Sequence, residues 1–388
     1  MRVVMVGPFG LRPRGTMSVR ALPMAQALAA RGHTVTELLP PWQNPEDAGR
    51  CWDDGGVAIE NIALPPRVPL LFHLLTAMRL TRRTLALKPD VVHIFKPKAY
   101  SGLTHWLLAR IPRTRRPRLI VDTDDWEGPG GWNELADYSP AERRFFAWQE
   151  RWGLTHADAV TAASRSLEGL VWALGVQPAR VVYVPNGVPR YWIDFPAPPT
   201  PASTPPTILL YTRFFEFPIT RVIDLLQLVR AQIPDAQLLV VGKGLFGEEE
   251  TLLEVAQQVG LAQAITYAGW VAPEQLPAAF ARADVAIYPF DDNLINRTKC
   301  PVKLLDLLTA AVPVVAEAVG EIKEMIRHAE TGWLVEPGDV VSFAEATARL
   351  LRDGDLRRRM GTAASADIAT RRSWDRLVES VELAYGGY

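Results

Sequence analysis

Short runs of consecutive apolar residues alternate with stretches of helical periodicity along nearly the whole chain. Residues 2–6 read as a buried strand, followed by a glycine-containing loop at 7–15. A helix near 17–31 comes next, closed by Gly32 as a left-handed cap, and then a strand at 33–39. Residues 91–95, 119–122, 159–162 and 181–184 give later strands, with helices between them. The same rhythm restarts with strands at 208–212, 237–241, 264–268, 284–289 and 312–316. Helices are expected at 220–231, 248–259, 273–282 and 321–327, and 373–385 is helical by its apolar spacing. Such alternation predicts an α/β fold with parallel sheets.

Between the two halves, 189–206 holds seven prolines in 18 residues, which neither a helix nor a central strand tolerates. The chain therefore divides into a domain at 1–188, a linker at 189–206 and a domain at 207–371, with 372–388 as a terminal helix. Two such halves place a cleft between them, and ligands of α/β sheets bind at the carboxyl ends of the strands.

The length of 388 residues suits two domains, each with its own core. Hydrophobic residues at 48% and charged ones at 22% suit a soluble enzyme. A net charge of −1 and the lack of any recognition module argue against a nucleic-acid partner. Cys51 and Cys300 form no metal-ligand spacing and no disulfide framework, so a reducing cytoplasm is the expected compartment. The opening residues are too quickly interrupted for a signal peptide, and no run of 18 apolar residues predicts a membrane span.

The most informative stretch is Arg297-Thr-Lys-Cys-Pro-Val-Lys-Leu-Leu-Asp306. It reads as a basic loop and a helix opened by Pro301, with Lys299 and Lys303 around its positive end and Asp306 one turn on. A helix N-terminus with two lysines suits a diphosphate, and a carboxylate one turn later can hydrogen-bond a ribose. A nucleotide-bearing ligand is expected.

From 207 onward the chain resembles the retaining glycosyltransferases of family 4. The resemblance is carried by Tyr211-Thr-Arg213, Val240-Val-Gly-Lys-Gly244, Ile265-Thr-Tyr-Ala-Gly-Trp-Val271, Lys303-Leu-Leu-Asp306 with Pro313-Val-Val315, and Gly320-Glu-Ile-Lys-Glu324, in that order. In the first half, Arg31-Gly-His-Thr-Val35 and Val184-Pro-Asn-Gly-Val188 also match the family. The resemblance implies the GT-B fold, two Rossmann-like domains facing a cleft, and sugar transfer from a nucleotide-diphosphate donor to an acceptor hydroxyl with retention. It implies no cofactor and no metal. Fixed cations stabilise the charge that grows on the leaving diphosphate.

On that resemblance Arg213 and Lys303 are catalytic, while Gly242, Lys243, Trp270, Lys299, Asp306 and Glu324 contact the donor. Gly15 and Thr16 belong to a glycine-containing loop like the family's, which includes Arg14. Two departures stand out. Pro218 replaces a family lysine, for which Arg221, Lys299 or Lys303 are the substitutes, with Lys303 favoured. Thr298 replaces a family carboxylate. These departures keep a second reading open, a non-catalytic subunit that binds nucleotide or a protein partner.

Val121-Asp-Thr-Asp-Asp-Trp-Glu-Gly128 ends a predicted strand, where functional loops begin. Asp124 or Asp125 is expected to touch the acceptor or act as a base, and metal binding and turn formation are the competing readings. His93 is either an acceptor contact or a satisfied buried histidine. The acceptor is expected to be a glycan or lipid-linked. Arginines at 79, 82 and 83 on a leucine-rich helix, and five more between 110 and 118, add an anionic membrane surface as a candidate partner. The competing reading is a sheet-covering helix with a solvated face.

Overall fold

A computed structural model describes residues 1–12, 15–68, 71–193 and 205–386. Arg14, Leu70, the end of the terminal segment and most of the proline-rich linker lie outside these residues. The chain forms two compact units. One comprises Met1–Gly187, Thr298–Cys300 and Trp374–Tyr388; the other comprises Val188–Arg297 and Pro301–Ser373.

The first unit holds strands β1 (Arg2–Val6), β2 (Thr34–Leu39), β3 (Cys51–Asp54), β4 (Val57–Asn61), β5 (Val91–Phe95), β6 (Arg118–Thr123), β7 (Ala159–Ala162) and β8 (Val181–Tyr183). They form one sheet in the order β3-β4-β2-β1-β5-β6-β7-β8, parallel except for β3. The β3–β4 hairpin was not expected. Every residue of β3 is exposed, so it carries no apolar run. Its signal was the turn, where Gly55 and Gly56 take φ of 59° and 82°.

The helices of this unit are α1 (Leu22–Ala30), α2 (Leu71–Ala86), α3 (Ala99–Leu108), α4 (Trp132–Leu135), α5 (Pro140–His156), α6 (Arg165–Ala173) and the terminal helix (Trp374–Ala384). The helix expected at 17–31 is divided: a wide π-type turn, Thr16–Ala21, precedes α1. Pro23 has no N–H for the ladder, so the helix changes register there. Right-handed crossovers put α1 on one face of the sheet and α2, α3 and α5 side by side on the other. Met24, Leu28, Trp374, Val378 and Val381 fill the α1 face against Val3, Met5 and Val35.

Glu37 lies on β2, fully buried, with neither carboxylate oxygen hydrogen-bonded. Burial, then Asp54, pushes its carboxyl well above the usual range.

The second unit holds β9 (Thr207–Tyr211), β10 (Gln237–Val241), β11 (Ile265–Gly269), β12 (Val285–Tyr288), β13 (Val314–Glu317) and β14 (Trp333–Val335). All pair in parallel in the order β11-β10-β9-β12-β13-β14. Its helices are α7 (Arg190–Ile193), α8 (Ile219–Gln232), α9 (Glu248–Gln258), α10 (Leu276–Phe280), α11 (Leu294–Thr298, whose last residue groups with the first unit), α12 (Val302–Thr309), α13 (Ile322–Met325), α14 (Val340–Arg352) and α15 (Gly354–Arg371). The helices expected at 273–282 and 321–327 are shorter. Pro273–Gln275 forms a tight turn, and Ile326 is extended with φ −112°.

Just beyond α12, Ala311 takes φ 57°, a left-handed position that favours glycine. Helix α15 packs so closely there that a Cβ on Gly361 would fall 2.1 Å from the Ala311 carbonyl.

Two stability outcomes follow from these positions. Ala311→Gly should stabilise by about 0.5–1 kcal/mol, the cost of a left-handed non-glycine residue. Glu37→Met should stabilise by about 1–3 kcal/mol at pH 8. The raised carboxyl of Glu37 keeps its proton in the folded state while the unfolded chain loses it above about pH 4.3. Wild-type stability therefore falls as pH rises from there, and the gain from Glu37→Met should be smaller at pH 5. Denaturant unfolding at both pH values checks each change; a gain at 37 that is independent of pH would contradict the assignment.

Candidate functional site

In the second sheet the chain steps from β9 to β10 on one side and later returns to β12 on the other, so the switch point lies at the ends of β9 and β12. Tyr211 ends β9 and Tyr288 ends β12. Both are buried, and burial holds both phenols above their ordinary range, with Asp306 the next cause for Tyr211 and Glu216 for Tyr288. Helix α12 delivers Lys303 and Asp306 to the same place. The Lys303 ammonium sits 3.5 Å from the Tyr211 ring centroid, and the Tyr211 hydroxyl lies 3.5 Å from Asp306 Oδ2.

Pro301 is the residue just before α12, extended at ψ 109°, one position earlier than expected. Lys303 therefore stands in the first turn, beside the positive helix end, where a cation is unfavourable without an anion to offset it. Burial raises the Asp306 carboxyl to about 7 against the opposing pull of Lys303.

Arg213 is exposed, with its guanidinium 5.2 Å above the Phe215 ring. Phe214 takes φ 71° and is fully buried, so the chain reverses there and turns Arg213 outward. Arg221 pairs with Asp291 at 2.6 Å and with buried Glu317 at 2.9 Å, so its charge is compensated inside the unit.

The loop after β10 serves packing. Gly242 takes φ 127°, and a Cβ there would lie 1.9 Å from the Thr212 carbonyl oxygen, so only glycine fits. The amides of Gly244 and Phe246 donate to Glu249 and Glu248, each at 2.8 Å. The unit's own carboxylates therefore use the donors a phosphate would need. Lys243 is exposed, and Trp270, at 71% exposure, follows the end of β11 in solvent. Glu324 is exposed on α13, and its side chain makes no hydrogen bond or ion pair among the described residues. Thus Lys303, Asp306 and Tyr211 come together. Lys299 groups with the first unit, 5.6 Å from the Trp132 ring centroid. Thr298 is buried there, its carbonyl accepting from Ser164 Oγ at 2.7 Å.

In the first unit the switch point lies between β1 and β5, and charged residues gather at the ends of β5 and β6. Asp122 accepts two hydrogen bonds from Arg20, at 2.8 and 2.7 Å, with both residues buried. Although burial disfavours its charge, Arg20 and His93 keep its carboxyl below the usual range. Asp124 accepts from Thr16 Oγ1 at 2.9 Å and lies 3.2 Å from Lys96 Nζ, while Asp125 accepts from Lys96 at 2.5 Å. Burial holds the Asp124 carboxyl above its usual range, and Asp125 and Asp122 add to this against Lys96. Lys98 bonds Glu127 and Asn133, both at 2.7 Å, beneath the rings of Tyr138 and Phe146. Gly15 is exposed at the start of the turn that carries Thr16.

His93 is a satisfied buried histidine. Its Nδ1 lies 2.9 Å from the Tyr385 hydroxyl and its Nε2 lies 3.1 Å from Thr161 Oγ1; burial lowers its pKa to about 4. Arg20, Lys96, Lys98 and Glu127 were not singled out from the sequence. Two lysines directly after an apolar strand, in Phe95-Lys-Pro-Lys98, were the available signal. Among the described residues, no group of three or more His, Cys, Asp or Glu could hold a metal ion.

Two parallel-sheet units with polar residues gathered at their switch points define a GT-B-type protein. The chain belongs to the family 4-like, group 1 glycosyltransferases. Residues 15–187 match the family model described as "Glycosyl transferase 4-like domain", and 205–353 match "Glycosyl transferases group 1". A GDP-mannose-dependent alpha-(1-6)-phosphatidylinositol monomannoside mannosyltransferase of Mycobacterium tuberculosis is 33% identical over 38% of this chain and 39% of its own length. The chain thus aligns with about two fifths of that relative. A phosphatidyl-myo-inositol mannosyltransferase of Mycobacterium leprae is 27% identical over 99% of this chain and 96% of its own. Among solved structures, a sucrose-phosphate synthase from Thermosynechococcus elongatus shares the fold with TM-score 0.74 at 20% identity, covering 99% of this chain and 98% of that one.

A sugar nucleotide whose ribose is held by ionised Asp306 should bind about tenfold more weakly at pH 6 than at pH 8, because the carboxyl must lose a proton held at about 7. Asp306→Asn should bind weakly with no pH dependence over that range. Isothermal titration with an intact sugar nucleotide, whose diphosphate does not titrate there, reads both. Wild-type affinity that is flat with pH would remove Asp306 from the binding site.

Proposed function

We propose that the chain transfers a sugar from a nucleoside diphosphate donor to an acceptor hydroxyl, with retention of anomeric configuration and without a metal. The observation that carries this reading is Lys303 in the first turn of α12, with Asp306 one turn on and Tyr211 between them, at the second sheet's switch point. The lysine, the helix amides and Arg213 supply positive charge for a departing diphosphate. In this reading the diphosphate oxygen takes the acceptor's proton as the new glycosidic bond forms and the old one breaks. Nothing in the second unit needs to act as a nucleophile.

Asp124 and Asp125, with Gly15 and Thr16, belong to the acceptor side. Lys96 pairs with Asp125 at 2.5 Å, and burial raises the Asp124 carboxyl to about 6, so Asp124 can take up a proton. The relatives that act on GDP-mannose and phosphatidylinositol glycans favour a hexose donor and a glycan or lipid-linked acceptor. Lys243 and Trp270, solvent-exposed at the ends of neighbouring strands, suit the base end of the donor. The same assignment leaves Lys299 and Glu324 as outer contacts and Gly242 as the packing residue that shapes the loop. Cys51 as an exposed free thiol fits the cytoplasm.

The deciding measurement is turnover of a panel of nucleotide sugars, reading released nucleoside diphosphate with and without glycolipid acceptors. Arg213→Ala and Lys303→Ala should each lower kcat by about 10²–10³-fold, the usual effect of removing one charge-stabilising group. Asp124→Asn should slow transfer to acceptor and leave donor affinity unchanged. Donor binding with no turnover, unaffected by either cation, would leave the non-catalytic subunit as the correct reading.

A further inference from the structure

Three neighbouring helices of the first unit bury polar residues beside Leu80, Leu108 and Leu154 and leave large apolar side chains outside. On α2 the buried positions include Thr76, Thr81 and Thr84, while Leu71, Leu74, Met78 and Leu85 stand 38–52% exposed. Each buried threonine donates to its own helix, to the carbonyls of Phe72, Ala77 and Leu80. On α3 the buried face holds Ser101, Thr104 and His105, and Leu103, Trp106 and Leu107 are half-exposed. On α5 the buried face holds Gln149, Glu150 and Gly153, while Phe145 and Trp148 are 40% and 43% exposed. A soluble helix layer has the reverse pattern, and a contiguous apolar surface of this kind marks a docking face.

The charges select the occupant. Neither α2 nor α3 contains an aspartate or glutamate. Arg82, Arg143, Arg144 and Arg151 are exposed among the apolar side chains, and the Arg110 guanidinium lies 3.1 Å from the Trp106 ring centroid. On α5 the acids are Glu142, which caps its own helix, and buried Glu150. A second copy of this chain would bring arginines against arginines in a two-fold contact. A glycan would need open ring faces. Phe145 and Trp148 instead stack on each other at 5.8 Å, and Trp152 stacks on His156 at 4.4 Å, so one face of each ring is already covered. Exposed aromatic rings, leucines and arginines without acids match the headgroup boundary of an anionic bilayer.

We propose that the outward faces of α2, α3 and α5 dock the first unit on a bilayer carrying anionic lipid. The surface stands independently of the transferase reading, and no helix among the described residues is long and apolar enough to cross a membrane.

Vesicle flotation of the full chain tests this, with phosphatidylcholine alone and with about 30% phosphatidylglycerol. Flotation separates binding from aggregation. The chain should float with the anionic vesicles several-fold more than with the neutral ones, less so as salt rises, and with a blue-shifted tryptophan emission. The double variants Phe145→Ser/Trp148→Ser and Leu74→Ser/Met78→Ser should each cut the bound fraction at least about fivefold. Both should keep the wild-type unfolding midpoint and the wild-type rate of donor turnover in vesicle-free solution. No flotation with anionic vesicles would overturn the proposal, as would flotation indifferent to both variants. A dimer in solution that the Trp148 variant splits would also overturn it, giving the face to a second copy. Donor turnover is read without vesicles, so a failed transferase reading and a failed docking surface give separate results.

Discussion

The buried pair of Arg20 and Asp122 fixes the first unit. Taking both charges out of water costs several kcal/mol per ion unless every donor and acceptor is satisfied. Here they are well supplied. Arg20 also donates to Asn186 Oδ1 at 3.0 Å and to the Val184 carbonyl at 2.8 Å, and Asp122 also accepts from Thr161 at 2.7 Å. Thr161 passes the chain of contacts to His93, and His93 passes it to Tyr385 beyond the terminal helix. The end of β6, the loop after β8 and Tyr385 are thereby tied to one guanidinium. Thr16 lies one turn before Arg20 and reaches Asp124, two residues beyond Asp122. A single turn of backbone thus anchors the strand end with one side chain and aims the acidic loop with another.

The second unit has a comparable anchor in Glu317 at the end of β13. It is fully buried and accepts from the amides of Phe290 and Gly338, both at 2.6 Å, as well as from Arg221. This carboxylate joins the ends of β12 and β13 to the start of α8. Arg221, three residues beyond Pro218, is thereby committed to Asp291 and Glu317 within the unit. In both sheets the polar groups at the switch point divide into an anchoring set that is fully paired and an outer set that is only partly compensated. Tyr211, Lys303 and Asp306 form the outer set in the second unit, with Asp306 raised towards neutrality by burial.

The parallel strands were legible because a strand buried on both faces must be an apolar run, as in Val91–Phe95 and Gln237–Val241. Lys303 and Asp306 were legible from helical spacing alone. Gly242 was not, because sequence shows a glycine without showing that Thr212 presses on it. The β3–β4 hairpin escaped because an exposed edge strand needs no apolar pattern. Arg20 carries no signal of its own in the sequence, since its partner Asp122 is 102 residues away. The leucine-rich stretch at 70–87 was legible as an amphipathic helix, but periodicity states only that two faces differ. Which face turns inward is decided by what it meets.

What the inward faces of α3 and α5 meet is the loop that carries the lysines. Lys96 and Ala99 take φ of 48° and 51°, strained for non-glycine residues. Gln149 holds the strained loop by accepting from the Ala99 amide at 2.8 Å and donating to its carbonyl at 3.0 Å. Ser101 donates to the carbonyls of Lys96 and Lys98, and Glu150 accepts from the Glu127 amide. Part of the polar interior of this layer is thereby accounted for: Gln149, Ser101 and Glu150 form the scaffold that keeps Lys96 and Lys98 facing Asp124, Asp125 and Glu127, whereas Thr104 Oγ1 and both ring nitrogens of His105 are buried without a hydrogen bond. That explanation does not extend to the outside. A helix with polar residues on both faces would support the loop equally well and would cost nothing in water. Leucine, methionine and tryptophan facing outward are the side chains that the proposed bilayer contact would cover.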